Sequence, residues 1–155
     1  MGILGIYVRT SIDKDNTSIE QQKSLGISFS KKNKFEYQVY EDVGKSGYKI
    51  EDEENPFKDR HGLIKLIEDI EKKIVDKIWV FEHSRLSRNQ YSSYILNRIF
   101  QKHNITIYEN DKRFDMDKAT AIASSSVFFF VEIPARNFPS AFLKDTRKYG
   151  RSALL

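Results

Sequence analysis

Two short stretches of this chain place arginine and serine directly behind apolar runs. Ile3-Leu4-Gly5-Ile6-Tyr7-Val8 leads into Arg9-Thr10-Ser11, and Ile78-Trp79-Val80-Phe81 leads, after Glu82 and His83, into Ser84-Arg85-Leu86-Ser87-Arg88. Arginine carries a planar fork of donors and stays charged at any working pH, so it suits a phosphate oxyanion better than lysine does. One guanidinium about 4 Å from an anion gives ~4 kcal/mol of gross Coulomb attraction at an effective dielectric of about 20, before desolvation is subtracted. Several together approach the roughly 8–23 kcal/mol by which enzymes lower barriers. Phosphoryl chemistry without a metal is therefore within reach of these residue types.

Each stretch also has a plainer reading. A serine behind a strand is most often a turn or helix cap, and taken alone Ser11 reads that way. Arg85 and Arg88, three residues apart, would ordinarily be a solvated face at a helix start. Positive charge is slightly unfavourable there against the helix dipole, which favours a ligand. His83 could act as a general base, but a lone histidine at a strand end is more often structural. Asp13, Asp15 and the run Glu51-Asp52-Glu53-Glu54 match neither calcium-loop nor two-metal spacing, so they read as solvated loop charge and no metal is expected. There is no Gly-x-x-x-x-Gly-Lys-Ser/Thr loop, and Gly2 and Gly5 precede or lie within the first apolar run rather than following it. ATP and dinucleotide binding are thereby excluded, and no cofactor is expected. No Gly-x-Ser-x-Gly elbow or Cys/His pair supports acyl transfer.

The elements that must position these groups follow from periodicity. The runs at residues 3–8 and 77–82 are short, β-capable and nearly continuous, as buried strands are. Ser18-Ile19-Glu20-Gln21 has the form of a capping box, and Ile19, Leu25 and Phe29 then recur at roughly helical spacing, predicting a helix through Lys32. Residues 35–41 alternate as a second strand, and residues 42–59 read as a long loop. Leu63, Leu66, Ile67 and Ile70 share one helical face, as do Tyr91, Tyr94, Ile95, Ile99 and Phe100, and a short strand follows at residues 105–108. Residues 110–118 read as a charged loop. Alternation of strand and helix predicts an α/β fold of three layers, with a mostly parallel central sheet, helices on both faces and right-handed crossovers. In such sheets ligands bind outside the carboxyl ends of the strands, where Arg9, the 42–47 loop and Arg85 arrive.

Residues 119–133 are apolar or small almost all round, which requires burial on several sides. They suit either a core helix or a subunit interface built partly from Phe128, Phe129 and Phe130, with the interface favoured. We expect residues 1–117 to form an α/β catalytic domain, and residues 118–155 to form an interface helix and a basic segment that continues into a longer protein.

Composition narrows the setting. With 155 residues and 39% hydrophobic content, one domain can bury a core without staples. Cysteine is absent, so disulfides, thiolate metal sites and a thiol nucleophile are excluded. The N-terminal run lacks a basic n-region and no apolar run approaches the roughly 20 residues that cross a bilayer, which predicts a cytoplasmic protein without membrane contact. The formal charge is only +4, but base gathers at Arg85, Arg88, Arg136, Lys144, Arg147, Lys148 and Arg151, which suggests a polyanionic partner.

Taken in order, these residues resemble the catalytic domain of the serine recombinases, the resolvase and invertase superfamily, and in particular its large integrase or transposase branch. Tyr7-Val8-Arg9-Thr10-Ser11 resembles the opening motif, in which the serine is the nucleophile and the arginine binds the scissile phosphate. Ser18-Ile19-Glu20-Gln21-Gln22 resembles the helix-start motif whose last glutamine, here Gln22, approaches the active site. Asp42-Val43-Gly44-Lys45-Ser46-Gly47 resembles the Asp-x-x-Ser-Gly loop and points to Ser46, and Arg60 falls where the family has a phosphate-site arginine. Ser84-Arg85-Leu86-Ser87-Arg88 resembles the most specific motif, with two active-site arginines, although many members have aspartate at the position of Ser84. Glu132-Ile133-Pro134-Ala135-Arg136 resembles the late Glu and Arg pair loosely, because Pro134 and Pro139 would kink a helix that the family keeps long.

The resemblance implies attack of Ser11 on a DNA phosphodiester, a 5′-phosphoserine link with a free 3′ hydroxyl, strand exchange and religation, on double-stranded DNA, by homodimers that pair into tetramers. Because one phosphoester replaces another, neither ATP nor a metal is implied. Two other readings remain: a serine-dependent nuclease or phosphodiesterase, and a catalytically silent dimerisation module. No helix-turn-helix, zinc ribbon or coiled coil is legible, so the DNA-binding part is expected beyond Leu155.

Overall fold

The computed structural model of the chain describes residues 2–10, 18–44, 57, 59–86 and 90–114. In chain order these form β1 (Ile3–Arg9), α1 (Ile19–Asn33), β2 (Tyr37–Asp42), α2 (His61–Glu71), β3 (Val75–Val80), a 3-10 turn (His83–Arg85), α3 (Gln90–Lys102), β4 (Thr106–Glu109) and β5 (Lys112–Phe114). The strands make one sheet in the order β2-β1-β3-β4-β5. The first four are parallel and β5 is antiparallel to β4.

Side chains alternate across the strands, so each face of the sheet buries its own cluster. Leu4, Ile6, Val8 and Trp79 pack with Phe29 of α1 on one face. Tyr7, Ile78 and Val80 pack on the other with Leu63, Leu66, Ile67 and Ile70 of α2 and Leu96, Ile99 and Phe100 of α3. The result is the three-layer α/β arrangement that the alternating pattern predicts. Among the described residues no helix is long and apolar enough to cross a membrane.

Helix α1 begins at the expected capping box, Ser18 accepting from the Gln21 amide while the Gln21 side chain accepts from the Ser18 amide. Its buried face differs in part from the expected one. Phe29 is buried and Ile19 packs against the same cluster as expected, but Leu25 is 44% exposed, and Gln22, Gly26 and Ser30 are buried as well. Close approach explains the substitution of a glycine for a large apolar residue: a Cβ on Gly26 would lie 2.6 Å from Ile6 Cγ2 and 2.8 Å from Trp79 Cε3.

The charged stretch expected as loop after β4 contains a strand. Asn110, at φ 54°, and Asp111 turn the chain back, and Lys112, Arg113 and Phe114 pair with Glu109, Tyr108 and Ile107. Two residues with asparagine in the left-handed region make a tight hairpin turn, and charged side chains suit β5 because it is an edge strand. The expected interface helix at residues 119–133, the basic end and the domain boundary near residue 118 lie outside the described residues, as does most of the 42–59 loop.

The strand order fixes where a site can be. The chain leaves β1 toward β2 on one side and β3 lies on the other, so the connections after β1 and β3 diverge and open a crevice at their carboxyl ends. Arg9 ends β1 and the 3-10 turn bearing Arg85 follows β3.

Candidate active site

Three arginines converge at this crevice, and they are almost wholly buried: Arg9 is 2% exposed, Arg85 5% and Arg60 8%. Burying charge is costly unless each group finds hydrogen-bond partners. For Arg9 and Arg60 the partners include the main-chain carbonyls of the 3-10 turn. Arg9 Nε donates to the Arg85 carbonyl at 3.0 Å and Arg9 Nη2 to the Ser84 carbonyl at 3.1 Å. Arg60 Nη2 donates to the same Arg85 carbonyl at 3.0 Å. The turn is held by Arg85 N–H donating to the Glu82 carbonyl and Leu86 N–H donating to the His83 carbonyl, and Leu86 anchors it in the core.

Arg60 immediately precedes α2, and its orientation comes from a second chain of bonds. Its Nη2 donates to the Tyr7 hydroxyl at 2.7 Å, Nε reaches the same oxygen at 3.3 Å, and the Tyr7 hydroxyl donates to Asp42 Oδ2 at 2.7 Å. Asp42 accepts further from the amides of Gly62 and Leu63 at 2.8 and 3.1 Å, so a carboxylate from β2 satisfies the otherwise unpaired donors of the α2 N-terminus, where negative charge is favoured. Close packing makes this possible: a Cβ on Gly62 would lie 2.6 Å from the Glu41 carbonyl oxygen. Burial pushes the Tyr7 phenol far above its ordinary range, with Arg60 lowering it and Asp42 raising it, so it stays a neutral hydroxyl that can donate and accept at once.

Gln22 is buried in α1 and meets the main chain of Arg9 in both directions: its Oε1 accepts from the Arg9 amide at 3.3 Å and its Nε2 donates to the Arg9 carbonyl at 3.1 Å. The glutamine expected near the site thus clamps the end of β1, the last described turn of chain before Ser11. Ser84 contributes its carbonyl to Arg9, while its hydroxyl donates to Glu82 Oε2 at 3.3 Å. His83 lies flat against Phe114, with ring centroids 4.5 Å apart at 9°, and its amide donates to Glu109 Oε1 at 3.0 Å. Burial lowers its imidazole below the ordinary value, against the raising effect of Glu109. These contacts fit the structural reading of this histidine.

Of the expected site residues, Arg9, Gln22, Arg60 and Arg85 come together, and Ser11, Ser46, Arg88 and Arg136 lie outside the described residues. Tyr7 and Asp42 are the members of the network that no side-chain role was expected for. Two signals were present: Tyr7 stands two residues before Arg9 and so on the same face of β1, and Asp42 is the register partner of Arg9 on β2. A buried cluster of cations at the carboxyl ends of a parallel sheet is built to receive an anion, and guanidinium forks suit a phosphate.

Comparison with known proteins bears on the family and the fold. The family model described as Resolvase, N terminal domain matches residues 4–137. The N-terminal catalytic domain of TP901-1 integrase is 26% identical, with a TM-score of 0.63 over 79% of this chain and 94% of that one. A resolvase family site-specific recombinase from Streptococcus pneumoniae is 28% identical, with a TM-score of 0.61 over 81% of this chain and 87% of that one. The C-terminal catalytic domain of ISC1926 TnpA, an IS607-like serine recombinase, shares the fold at 22% identity and a TM-score of 0.53, over 79% of this chain and 76% of that one. Among curated proteins no sequence matches this one significantly.

Proposed function

Since the chain belongs to the resolvase N-terminal domain family and is a recombinase domain, we propose that it cuts and rejoins double-stranded DNA through Ser11. The observation that carries this reading is the meeting of Arg9 and Arg60 on the carbonyls of the turn that bears buried Arg85, beside the strand whose end leads to Ser11. Ser11 Oγ attacks the phosphorus, the P–O3′ bond breaks, and the 5′-phosphate becomes esterified to the serine. The proton lost by the serine passes to solvent or to a phosphate oxygen, and the departing O3′ is protonated to a hydroxyl. Attack by the 3′ hydroxyl of the exchanged strand reverses the step. The number of phosphoester bonds is unchanged throughout, so no energy source is required.

In this reading the arginines stabilise the negative charge that crowds the pentavalent transition state. Arg9 and Arg60, already fixed by carbonyls and by Tyr7, cost little reorganisation when charge develops. Arg88 and Arg136 are assigned to the same phosphate and Ser46 to its surroundings, on the family pattern. The apolar segment 119–133 is assigned to the subunit interface of dimers that pair into a tetramer, and the protein is read as cytoplasmic.

The test is the chemistry of the ends. Supercoiled DNA carrying the sequences that flank the gene is incubated with the complete protein, and the reaction is stopped with detergent. Cut DNA with free 3′ hydroxyls, and with 5′ ends that carry protein and after proteinase treatment remain blocked by a serine peptide, is the expected product. Free 5′ phosphates would identify a nuclease, and recombination by the complete protein that survives Ser11→Ala would identify an assembly module.

A further inference from the structure

We propose that Glu82 is a positioning residue for Arg85, supplying from the start of the 3-10 turn a carboxylate that position 84, as serine, lacks. This rests on the reading of the arginine cluster as the phosphate site. Among the described residues Glu82 is the only carboxylate within ion-pair reach of the three guanidiniums, its Oε2 lying 3.9 Å from Arg85 Nη2. Asp42, the other acid of the network, is separated from Arg60 by the Tyr7 hydroxyl, so its charge does not bear directly on a guanidinium.

The backbone sets this pairing up. Arg85 N–H donates to the Glu82 carbonyl at 2.9 Å, closing a 3-10 turn that Glu82 caps with extended backbone. From that cap position the Glu82 carboxylate comes to the Arg85 guanidinium, Oε2 lying 3.9 Å from Nη2. The same Oε2 accepts from Ser84 Oγ at 3.3 Å, which steadies the carboxylate over the turn. Because Ser84 Oγ already reaches this point, a carboxylate carried on residue 84 would arrive at the same place. Glu82 and residue 84 are thus two routes to one negative charge beside Arg85.

Arg85 is the residue where that charge matters. Its carbonyl holds Arg9 and Arg60, so a shift of residue 85 moves all three cations together. The carboxylate is 53% exposed while the Arg85 side chain is 7% exposed, which makes the pair a hydrated contact at the mouth of a buried cluster. Such a contact is weak enough to loosen when a phosphate arrives.

Three forms of the 155-residue chain test this: the parent, Glu82→Gln, and Glu82→Gln combined with Ser84→Asp. The Arg85 Nε–Hε resonance, assigned with Arg85→Lys, reports the side chain directly. Glu82→Gln is expected to shift and broaden that resonance, and the double variant to return it toward the parent position. On DNA the first variant should slow single-turnover cleavage by about fivefold at unchanged DNA affinity, as loss of a partly exposed pair does. The double variant should recover the rate. An Arg85 resonance indifferent to Glu82→Gln, or a double variant no closer to the parent than the single one, overturns the proposal. Cleavage is read in the complete protein carrying the same substitutions, where a parent that cuts no DNA counts against the recombinase reading, and the resonance still decides the role of Glu82.

Discussion

Arg60 Nη2 lies 2.7 Å from the Tyr7 hydroxyl. That oxygen donates onward to Asp42, so a neutral phenol stands between a guanidinium and a carboxylate that would otherwise neutralise each other. The spacing orients Arg60 and leaves its charge available to the crevice. Tyr7→Phe removes the acceptor of Arg60 and one donor of Asp42 in a fully buried position. We expect a loss of about 1–3 kcal/mol in urea unfolding, the typical cost of orphaned buried polar groups, together with slower DNA cleavage. Unchanged stability and rate would show that the carbonyl of Arg85 alone holds Arg60.

Gly62 tests how α2 is docked on β2. Gly62→Ala places a methyl group 2.6 Å from the Glu41 carbonyl oxygen and 2.8 Å from its carbon, against backbone that cannot rotate away. The helix must then withdraw from Asp42, costing roughly 1–3 kcal/mol as overpacking does, measured by chemical denaturation. A variant as stable as the parent would mean that the amides of Gly62 and Leu63 do not depend on this close approach.

His83 sets a pH dependence. Burial holds its folded-state pKa below the ordinary value, so the unfolded chain binds the proton more readily. The stability contributed by the neutral ring is complete above the unfolded pKa and is lost as pH falls through the folded one. Thermal unfolding followed from pH 7.5 downward (roughly one unit beyond the unfolded histidine value) should show this loss, and His83→Phe, which keeps the stack on Phe114, should flatten the curve below that value. Parallel curves for the two chains would place the acid sensitivity elsewhere.

Much of this was legible before the fold was known. The positions of β1 and β3 follow from short apolar runs, and the start of α1 from Ser18 and Gln21, because burial and capping act locally. The buried face of α1 was legible only in part, since the rest turns on Gly26 and Gln22, whose roles depend on a sheet that comes within van der Waals contact and on the main chain of Arg9. Strand β5 was hidden because an edge strand can consist of charged residues, and only Asn110-Asp111 marks the turn. At the site, Arg9 and Arg85 announced themselves by type and by their place behind apolar runs, and Arg60 came only with the family resemblance. Tyr7 and Asp42 gave no such sign, because a tyrosine beside apolar neighbours reads as core until its hydroxyl has partners.

The central claim is that Ser11 becomes esterified to DNA, and the mass of its peptide tests this most directly. The complete protein is reacted with DNA carrying the flanking sequences, denatured, trimmed with nuclease and digested with trypsin. We predict a peptide containing Ser11 that is heavier by a nucleotide 5′-phosphate and disappears in Ser11→Ala. Cleaved DNA accompanied only by unmodified Ser11 peptide, or an adduct that persists in Ser11→Ala, would contradict the account.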